Sequence, residues 1–227
     1  MAEMIKIKST AADGFEFGAL HADAEGRRRG GVIVIQEIFG LDKYVQQDVE
    51  RWSGLGFEAL APSMYDRVEP GFVSGHDDAG MQTAIATVTK AKPADALADI
   101  AGCIAFLAPR GPVFIVGYCY GGTMVWQAVG RLDGLAAGSS YYGGGVAGAA
   151  DLTPKCPIIC HFGRKDGHIP ADEVTAKVKA AQPGVPLYIY ENSGHGFNND
   201  GRPDSDPGDA RLARERTLAL FEQNGAA

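Results

Sequence analysis

The segment Gly117-Tyr118-Cys119-Tyr120-Gly121-Gly122 is the clearest local candidate for chemistry in the sequence. It matches the G-x-S-x-G pattern of a nucleophile elbow, with cysteine in place of serine. In such an elbow a strand turns sharply into a helix, which strains the central residue, and the flanking glycines make room for it. The pattern predicts that Cys119 is a nucleophile. The alternative is a small buried hydrophobic residue, since free cysteine is often buried.

The position of Cys119 at the start of a predicted helix suits a thiolate. The positive end of a helix stabilises negative charge, and the backbone N–H of Tyr120 is expected to donate to an oxyanion. A second oxyanion-hole donor is expected from the turn Gln36-Glu37-Ile38-Phe39-Gly40, with Ile38 as the candidate. Glu37 is either a proton partner for Cys119 or a solvated loop acid, and its position alone favours neither.

A cysteine nucleophile needs a base, and the base needs an acid that orients it. Asp166 and then His195 follow Cys119, each in a turn just beyond a predicted strand, in the order nucleophile, acid, base. Asp166 would hold one tautomer of His195, which would accept and return a proton. The alternative is that both are ordinary turn residues. His168 is a competing base, whereas His161 lies within a predicted strand and is expected to pack there.

The other cysteines are expected to be structural. The N-terminal residues lack the apolar region of a signal peptide, and four cysteines in 227 residues do not indicate a disulfide framework. Cys156, Cys160 and His161 do not form a metal-binding pattern, because consecutive strand residues point to opposite faces and no second ligand pair follows. Cys103 lies on the apolar face of a predicted helix. We therefore expect no metal.

The elements that must position these residues follow from the hydrophobic pattern. Two polar-interrupted runs, 4–9 and 15–21, indicate a half-exposed antiparallel pair of strands. Apolar runs indicate strands that are buried on both faces: 32–35, 57–61, 113–116, 137–142, 158–162 and 187–190. Helical segments lie between them: 45–55, 94–107, 122–131, 172–181 and 209–223. The less regular part, 64–93, is expected to be a loop with one short helix.

This alternation predicts an α/β fold in which a mostly parallel, doubly wound sheet has helices on both faces. In such sheets ligands bind at the C-terminal ends of the strands, which is where the candidate residues fall. The length and the 45% hydrophobic content fit one domain over residues 1–227.

The composition also bears on partners. A formal net charge of −7 disfavours nucleic acid as a partner. The basic run Arg27-Arg28-Arg29 is interpreted as a solvated loop. No stretch reaches the roughly 18 apolar residues that a membrane span requires. We therefore expect a cytoplasmic protein that acts on a small molecule.

These motifs together resemble the dienelactone hydrolase (carboxymethylenebutenolidase) family of the α/β-hydrolase superfamily. The resemblance rests on the two turns that contain Glu37 and Cys119, on Asp166 after Phe162-Gly163, on Gly194-His195-Gly196-Phe197, and on Glu215-Arg216-Thr217-Leu218 in the last helix. It covers nearly the whole chain. It implies an α/β-hydrolase fold and a monomeric, cofactor-free enzyme that opens a lactone enol ester through a thioester. It also implies that Glu37 contacts the resting thiol and takes part in its activation.

The sequence departs from the family pattern where a substrate carboxylate would bind. The family uses two arginines there, one in the segment that matches 76–83 and one shortly after Phe197. Residues 76–83 contain no arginine, and Asn198-Asn199 follows Phe197. Four candidate substrate contacts remain: Arg67, Arg202, Phe39 and Asn198. The alternative functions are a broad carboxylesterase for other activated esters or lactones, and a redox-sensing or binding protein on a hydrolase fold.

Overall fold

The computed structural model describes residues 2–226 and contains one eight-stranded sheet. Its strands are β1 (Glu3–Lys8), β2 (Glu16–Ala22), β3 (Gly30–Ile35), β4 (Phe57–Pro62), β5 (Val113–Tyr118), β6 (Ala137–Tyr141), β7 (Ile158–Gly163) and β8 (Leu187–Tyr190). They lie in the order β1-β2-β4-β3-β5-β6-β7-β8. The β1–β2 and β2–β4 pairs are antiparallel, and the β3–β4, β6–β7 and β7–β8 pairs are parallel. The predicted antiparallel pair and mostly parallel sheet are confirmed.

The helices alternate with the strands as the pattern predicted. They are α1 (Lys43–Gly54), α2 (Asp78–Val88), α3 (Pro93–Leu107), α4 (Tyr120–Arg131), α5 (Ala171–Ala181) and α6 (Pro207–Gln223). Two short 3₁₀ turns occupy Ala108–Arg110 and Ala147–Ala149. The helix α2 is the one expected between 64 and 93. Within residues 2–226, no helix combines the length and apolar character that crossing a bilayer requires.

The chain divides into two compact units, residues 2–115 and 116–226, and the boundary falls within β5. In the first unit every residue of β3 and β4 is buried, and in the second unit the same holds for β6 and β7. Strands buried along their whole length explain why these runs lack an alternating polar pattern. The expectation of a single domain over 1–227 stays a prediction.

The interpretation of the basic run as a solvated loop is wrong for Arg28. Its Nε donates to Oε2 of Glu58 at 2.8 Å, and Glu58 is buried on β4. Arg110 and His21 also pair with Glu58, at 2.7 and 2.9 Å. A buried carboxylate is tolerated only when it is paired, so the half-buried Arg28 serves as one of the ion-pair partners of Glu58.

The turn after β3, residues 36–42, is tied to the segment that follows β4. The buried side chain of Gln36 accepts a hydrogen bond from the backbone N–H of Met64 at 3.2 Å. Gly40 has a φ of +82°, and a Cβ there would lie 2.0 Å from the carbonyl oxygen of Phe72. Only glycine meets both requirements, since it has no Cβ and tolerates positive φ. The local conformation of the turn therefore depends on Gly40.

Replacing Gly40 with alanine is expected to lower the free energy of unfolding more than the same change at Gly71. Both positions have positive φ, so both variants bear left-handed strain of about 1–2 kcal/mol. A Cβ at Gly71 meets nothing within 4 Å, whereas a Cβ at Gly40 meets Phe72. Urea unfolding of the two variants measures the difference. Equal losses would contradict the close approach of Phe72.

Candidate active site

Cys119 lies between β5 and α4 in a backbone conformation that non-glycine residues rarely adopt, with φ +54° and ψ −111°. Such a conformation costs on the order of 1–3 kcal/mol and persists only where its surroundings enforce it. A Cβ at Gly117 would lie 2.4 Å from the oxygen of Gly121, and a Cβ at Gly122 would lie 2.3 Å from the oxygen of Tyr141. That same Tyr141 oxygen accepts the backbone N–H of Cys119 at 3.0 Å. The strained turn predicted from the glycines is present.

Asp166 and His195 lie in the turns that follow β7 and β8, and their side chains meet. The Nδ1 of His195 is 2.7 Å from Oδ2 of Asp166. The other carboxylate oxygen accepts the backbone N–H groups of His168 and Ile169 at 2.8 and 3.1 Å. The imidazole of His195 also forms a hydrogen bond with the side chain of Cys119. The three residues predicted as nucleophile, acid and base therefore come together within the unit 116–226.

The charges of this group support one another. Burial alone would lower the pKa of His195. The hydrogen bonds to Asp166 and Cys119 and the charges of both groups outweigh this effect and raise the pKa to about 10. Burial raises the pKa of Asp166, but the hydrogen bond and charge of His195 and the two backbone N–H groups bring it below its usual value. At neutral pH the pair is therefore a carboxylate and an imidazolium.

The loop that carries His195, residues 191–206, is held by α6. Arg214 of α6 donates to Oδ1 of Asn198 at 2.8 Å and to Oδ1 of Asp200 at 2.9 Å. Asp209, also on α6, accepts the hydroxyl of Ser193 at 2.9 Å. Asn198 is only 4% exposed. Because its carbonyl oxygen is committed to Arg214, the structure favours a loop-holding role for Asn198 over the expected substrate contact.

The two other histidines of this unit take different places. His161 is buried within β7, and desolvation followed by the charge of Arg216 lowers its pKa to about 3. The expectation that His161 packs within the strand is confirmed. His168 is exposed, and its ring stands edge-on to that of His195 at 5.7 Å between centroids. Its link to Asp166 is through its backbone N–H, so the carboxylate orients His195 rather than His168.

The turn 36–40, in the unit 2–115, holds three other predicted residues. Glu37 is only 5% exposed, which contradicts the alternative of a solvated loop acid. Ile38, the candidate oxyanion-hole donor, is half-buried. The ring of Phe39 is buried and packs against that of His76 at 3.8 Å between centroids. The catalytic role of Glu37 and the contacts of Ile38 and Phe39 with substrate stay predictions.

The two candidate arginines differ. Arg67 donates to both carboxylate oxygens of Asp99, at 3.2 and 3.0 Å, and to Asp13 at 2.6 Å. The hydrogen bond to Asp99 raises the pKa of Arg67 above the ordinary arginine value. Burial opposes this with a smaller effect, and the bond to Asp13 adds to the rise. Two protein carboxylates already pair with this guanidinium, which argues against the expectation that Arg67 binds a substrate carboxylate. Arg202 is half-buried in the loop after His195, and its role stays a prediction.

One group of potential metal ligands lies close together among residues 2–226. The ligand atoms of His21, Asp23 and Glu58 are within 4.8 Å of one another. Glu58 is already paired with two cations, Arg28 and Arg110. Because a metal ion would add a third positive centre beside them, the group fits an ion-pair cluster better than a metal site.

Tyr142 is a residue of the site that the sequence reasoning missed. It directly follows β6, has a φ of +37°, and places its ring 5.1 Å from that of His195. Its backbone N–H donates to the oxygen of His161 at 2.7 Å. The available signal was the run Gly143-Gly144-Gly145 directly after it, which marks a tight turn at the end of a strand. The ring of Tyr142 therefore packs against the imidazole of His195.

Comparison with known proteins shows the family to which this chain belongs. The model of the dienelactone hydrolase family matches residues 17–225. A carboxymethylenebutenolidase from Pseudomonas sp. is 29% identical over 224 residues, which cover 94% of this chain and 92% of that protein. A crystal structure from Klebsiella pneumoniae subsp. pneumoniae, provisionally named a dienelactone hydrolase, superimposes with a TM-score of 0.82 at 26% identity over 98% of this chain and 99% of that one.

A more distant structure shares the fold alone. A dienelactone hydrolase-like promiscuous phosphotriesterase from metagenomic libraries superimposes with a TM-score of 0.75 at 19% identity, over 98% of each chain. With the family match and the Klebsiella structure, this supports the α/β-hydrolase fold. The chain belongs to the dienelactone hydrolase family and is a hydrolase that acts on ester bonds.

Proposed function

We propose that the protein is a cysteine hydrolase that opens a dienelactone-like lactone, an enol ester, through a thioester acyl-enzyme. The observation that carries this proposal is the arrangement of His195 between Asp166 and the elbow residue Cys119. A strained nucleophile, a protonated imidazole beside it and an orienting carboxylate form the set that nucleophilic acyl transfer requires.

In the acylation step the thiolate sulfur of Cys119 attacks the lactone carbonyl carbon and forms a C–S bond. The carbonyl electron pair moves onto oxygen, where the backbone N–H groups of Tyr120 and Ile38 would receive it. When that pair returns, the ring C–O bond breaks. The departing enolate oxygen takes the proton from His195. An enol ester suits a thiolate because an enolate leaves more readily than an alkoxide.

In the deacylation step water attacks the thioester carbon. His195, neutral after it has given up its proton, takes a proton from that water. The C–S bond then breaks, the thiolate of Cys119 leaves, and the product is the ring-opened acid. The imidazolium and thiolate are restored together, so the cycle consumes one lactone and one water.

Glu37 is included in the proposal as a group that shares control of the thiol proton. The resemblance to the family implies this role, and the burial of Glu37 supports it, since a carboxylate held away from water is not a solvated loop acid. The family resemblance also implies a monomer that needs no cofactor, and we further expect a cytoplasmic location.

A second candidate function is that of a broad carboxylesterase for activated esters or lactones. The pairing of Arg67 with Asp99 and Asp13 favours it, because this arginine is then not offered to a substrate carboxylate. The rates on cis-dienelactone and on the neutral ester 4-nitrophenyl acetate discriminate between the candidates. A clear preference for the lactone supports the first function, and a preference for the neutral ester supports the second.

Replacing Cys119 with alanine is expected to reduce turnover of both substrates by about 10⁴-fold or more, as loss of a nucleophile does in other triads. Steady-state rates on the two substrates provide the measurement. Cys156→Ala is the matched control, because Cys156 is a half-buried cysteine of the same unit. This variant is expected to keep the full wild-type rate.

Full turnover by the Cys119 variant would remove this residue from the mechanism. Mass spectrometry of the wild-type protein, quenched during turnover, is expected to show the acyl group on Cys119. An oxidised Cys119 without any acyl adduct would favour a redox-sensing protein instead.

The pH profile is expected to follow His195. Its pKa of about 10 keeps the imidazole protonated below that pH, so kcat/KM should fall as the pH rises through 10 and the proton for the leaving group is lost. Asp166→Asn removes the negative charge that helps to raise this pKa and leaves at most a weaker, neutral acceptor, so the fall should move to lower pH. Asp133→Asn, an exposed change, should leave the profile unmoved.

The same shift bears on stability. Because folding raises the pKa of His195, its contribution to the free energy of unfolding is complete below about pH 6.5 and is lost as the pH rises to about 10. The measurement is the free energy of unfolding as a function of pH. If it falls above pH 6.5 in the same way in Asp166→Asn and in the wild type, His195 is not the group responsible.

Replacing Glu37 with glutamine is expected to lower kcat/KM by about 10²-fold, the range typical of a lost proton-transfer group. Glutamine keeps the shape of the side chain and removes its ability to exchange a proton. Glu50→Gln, on an exposed position of α1, is the control. If the two variants have the same rate, Glu37 has no part in the chemistry.

A further inference from the structure

A row of rings lies on the face of the sheet that α6 covers. Tyr141, His161 and Tyr188 are register partners on β6, β7 and β8. The centroids of the first two rings are 4.3 Å apart, and those of the second and third are 5.7 Å apart. The guanidinium of Arg216, from α6, lies 4.0 Å from the centroid of the Tyr188 ring. The row links three strands to one helix.

Thr217 of α6 is the centre of a hydrogen-bond network within this row. Its Oγ1 is 2.7 Å from the hydroxyl of Tyr141, 2.9 Å from Oγ of Ser139 and 3.3 Å from Nε2 of His161. It donates its own proton to the carbonyl oxygen of Ala213 at 3.0 Å. The four side chains that meet here are all buried. The network therefore depends on its internal bonds alone.

The direction of the bonds on one side follows from Arg216, which can only donate. The hydroxyl of Tyr190 accepts from Arg216 at 3.0 Å, so its own proton goes to Nδ1 of His161 at 2.8 Å. His161 is neutral, because burial lowers its pKa to about 3. Its proton therefore sits on Nε2 and is donated to Ser139 at 3.1 Å.

The direction on the other side follows from Thr217. Since its proton is given to Ala213, its oxygen accepts from Ser139 and from Tyr141. Every hydroxyl group of this hydrogen-bond network then donates one bond, and each has an acceptor. In this assignment the proton of the Tyr141 hydroxyl has Thr217 as its acceptor.

Tyr141 connects this network to the site. Its carbonyl oxygen accepts the backbone N–H of Cys119 at 3.0 Å. The next residue, Tyr142, donates its backbone N–H to His161 at 2.7 Å and packs its ring against His195. The end of β6 therefore contacts both the nucleophile and the base.

A buried polar network of this kind is not in itself the cheapest way to stabilise a core. Hydroxyl and imidazole groups lose their hydration when they are buried, and apolar side chains of the same size would fill the space without that cost. What a fully satisfied network provides is a single defined arrangement of the groups that it joins. Here those groups include the strand end on which Cys119 and His195 depend.

We propose that Thr217 is a positioning residue for the Cys119–His195 pair. By accepting the hydroxyl proton of Tyr141 it fixes that side chain, and with it the carbonyl that holds the amide of Cys119. The proposal rests on the proposed function of Cys119 as nucleophile. Thr217 touches no reacting atom and acts only through Tyr141.

The test is the isosteric variant Thr217→Val, which keeps the shape of the side chain and removes the accepting oxygen. We expect kcat to fall about tenfold and KM to change less than about twofold, since small displacements of reacting groups cost this much or more. Alkylation of Cys119 by iodoacetamide, followed by mass spectrometry, should slow by a similar factor. Thr217→Ser, which restores the hydroxyl, should recover most of both rates.

Thr175→Val is the matched control. Thr175 is a buried threonine in α5 whose hydroxyl donates to the carbonyl oxygen of Asp172 at 3.1 Å, so the change removes a comparable bond outside the network. We expect it to keep kcat and the alkylation rate of Cys119 within about twofold of the wild type. If Thr217→Val also stays within that range, the proposal is overturned.

If Thr217→Val does not fold, Tyr141→Phe decides the question. It keeps the ring of Tyr141 and removes only the hydroxyl that Thr217 accepts, so the same loss in both rates is expected. Wild-type rates in Tyr141→Phe overturn the proposal.

The alkylation assay uses no substrate, which separates the two hypotheses. If Cys119→Ala keeps its turnover while Thr217→Val slows alkylation, the proposed function fails and the positioning role stands. If Cys119→Ala loses turnover while alkylation and kcat are unchanged in Thr217→Val, the positioning role fails and the proposed function stands.

Discussion

A protonated imidazole held between a carboxylate and a thiol sets the requirements for the rest of this molecule. His195 is mostly buried, so its charge persists only because Asp166 and Cys119 both pair with it. Asp166 in turn needs partners for both carboxylate oxygens. One oxygen faces His195, and the other accepts two backbone N–H groups from the turn after β7. Each group is thus tolerated because another is in place, and the surrounding elements fix the distances between them.

Two strained residues show where this precision is obtained. Cys119 and Tyr142 both have positive φ, and one holds the thiol while the other backs the imidazole. Strain of this kind must be offset by surrounding contacts. Here the end of β6 supplies them, since the Tyr141 carbonyl binds the amide of Cys119 and the amide of Tyr142 binds β7. The end of β6 is therefore a common support for Cys119 and for the ring that packs against His195.

The sequence predicted what is encoded locally. Hydrophobic patterns, polar-interrupted for β1 and β2 and apolar for the others, located every strand, and the glycines around Cys119 located the elbow. Both signals lie within a few neighbouring residues. Pairings between distant charged residues that belong to no motif were beyond its reach. Arg28 looked like a solvated residue until its contact with Glu58, thirty positions away, was known. Likewise nothing near Arg67 indicated that Asp99 neutralises it. Charged residues far apart in the chain carry no periodicity that would identify their partners.

The dependence of the site on α6 has a consequence for how the protein matures. The loop that holds His195 is tied to this helix by Arg214 and Asp209, and α6 follows every strand in the chain. During synthesis the elbow with Cys119 is therefore made well before the helix that secures its base. Under the proposed function, the loop that carries the base is therefore secured only after α6 has been synthesised.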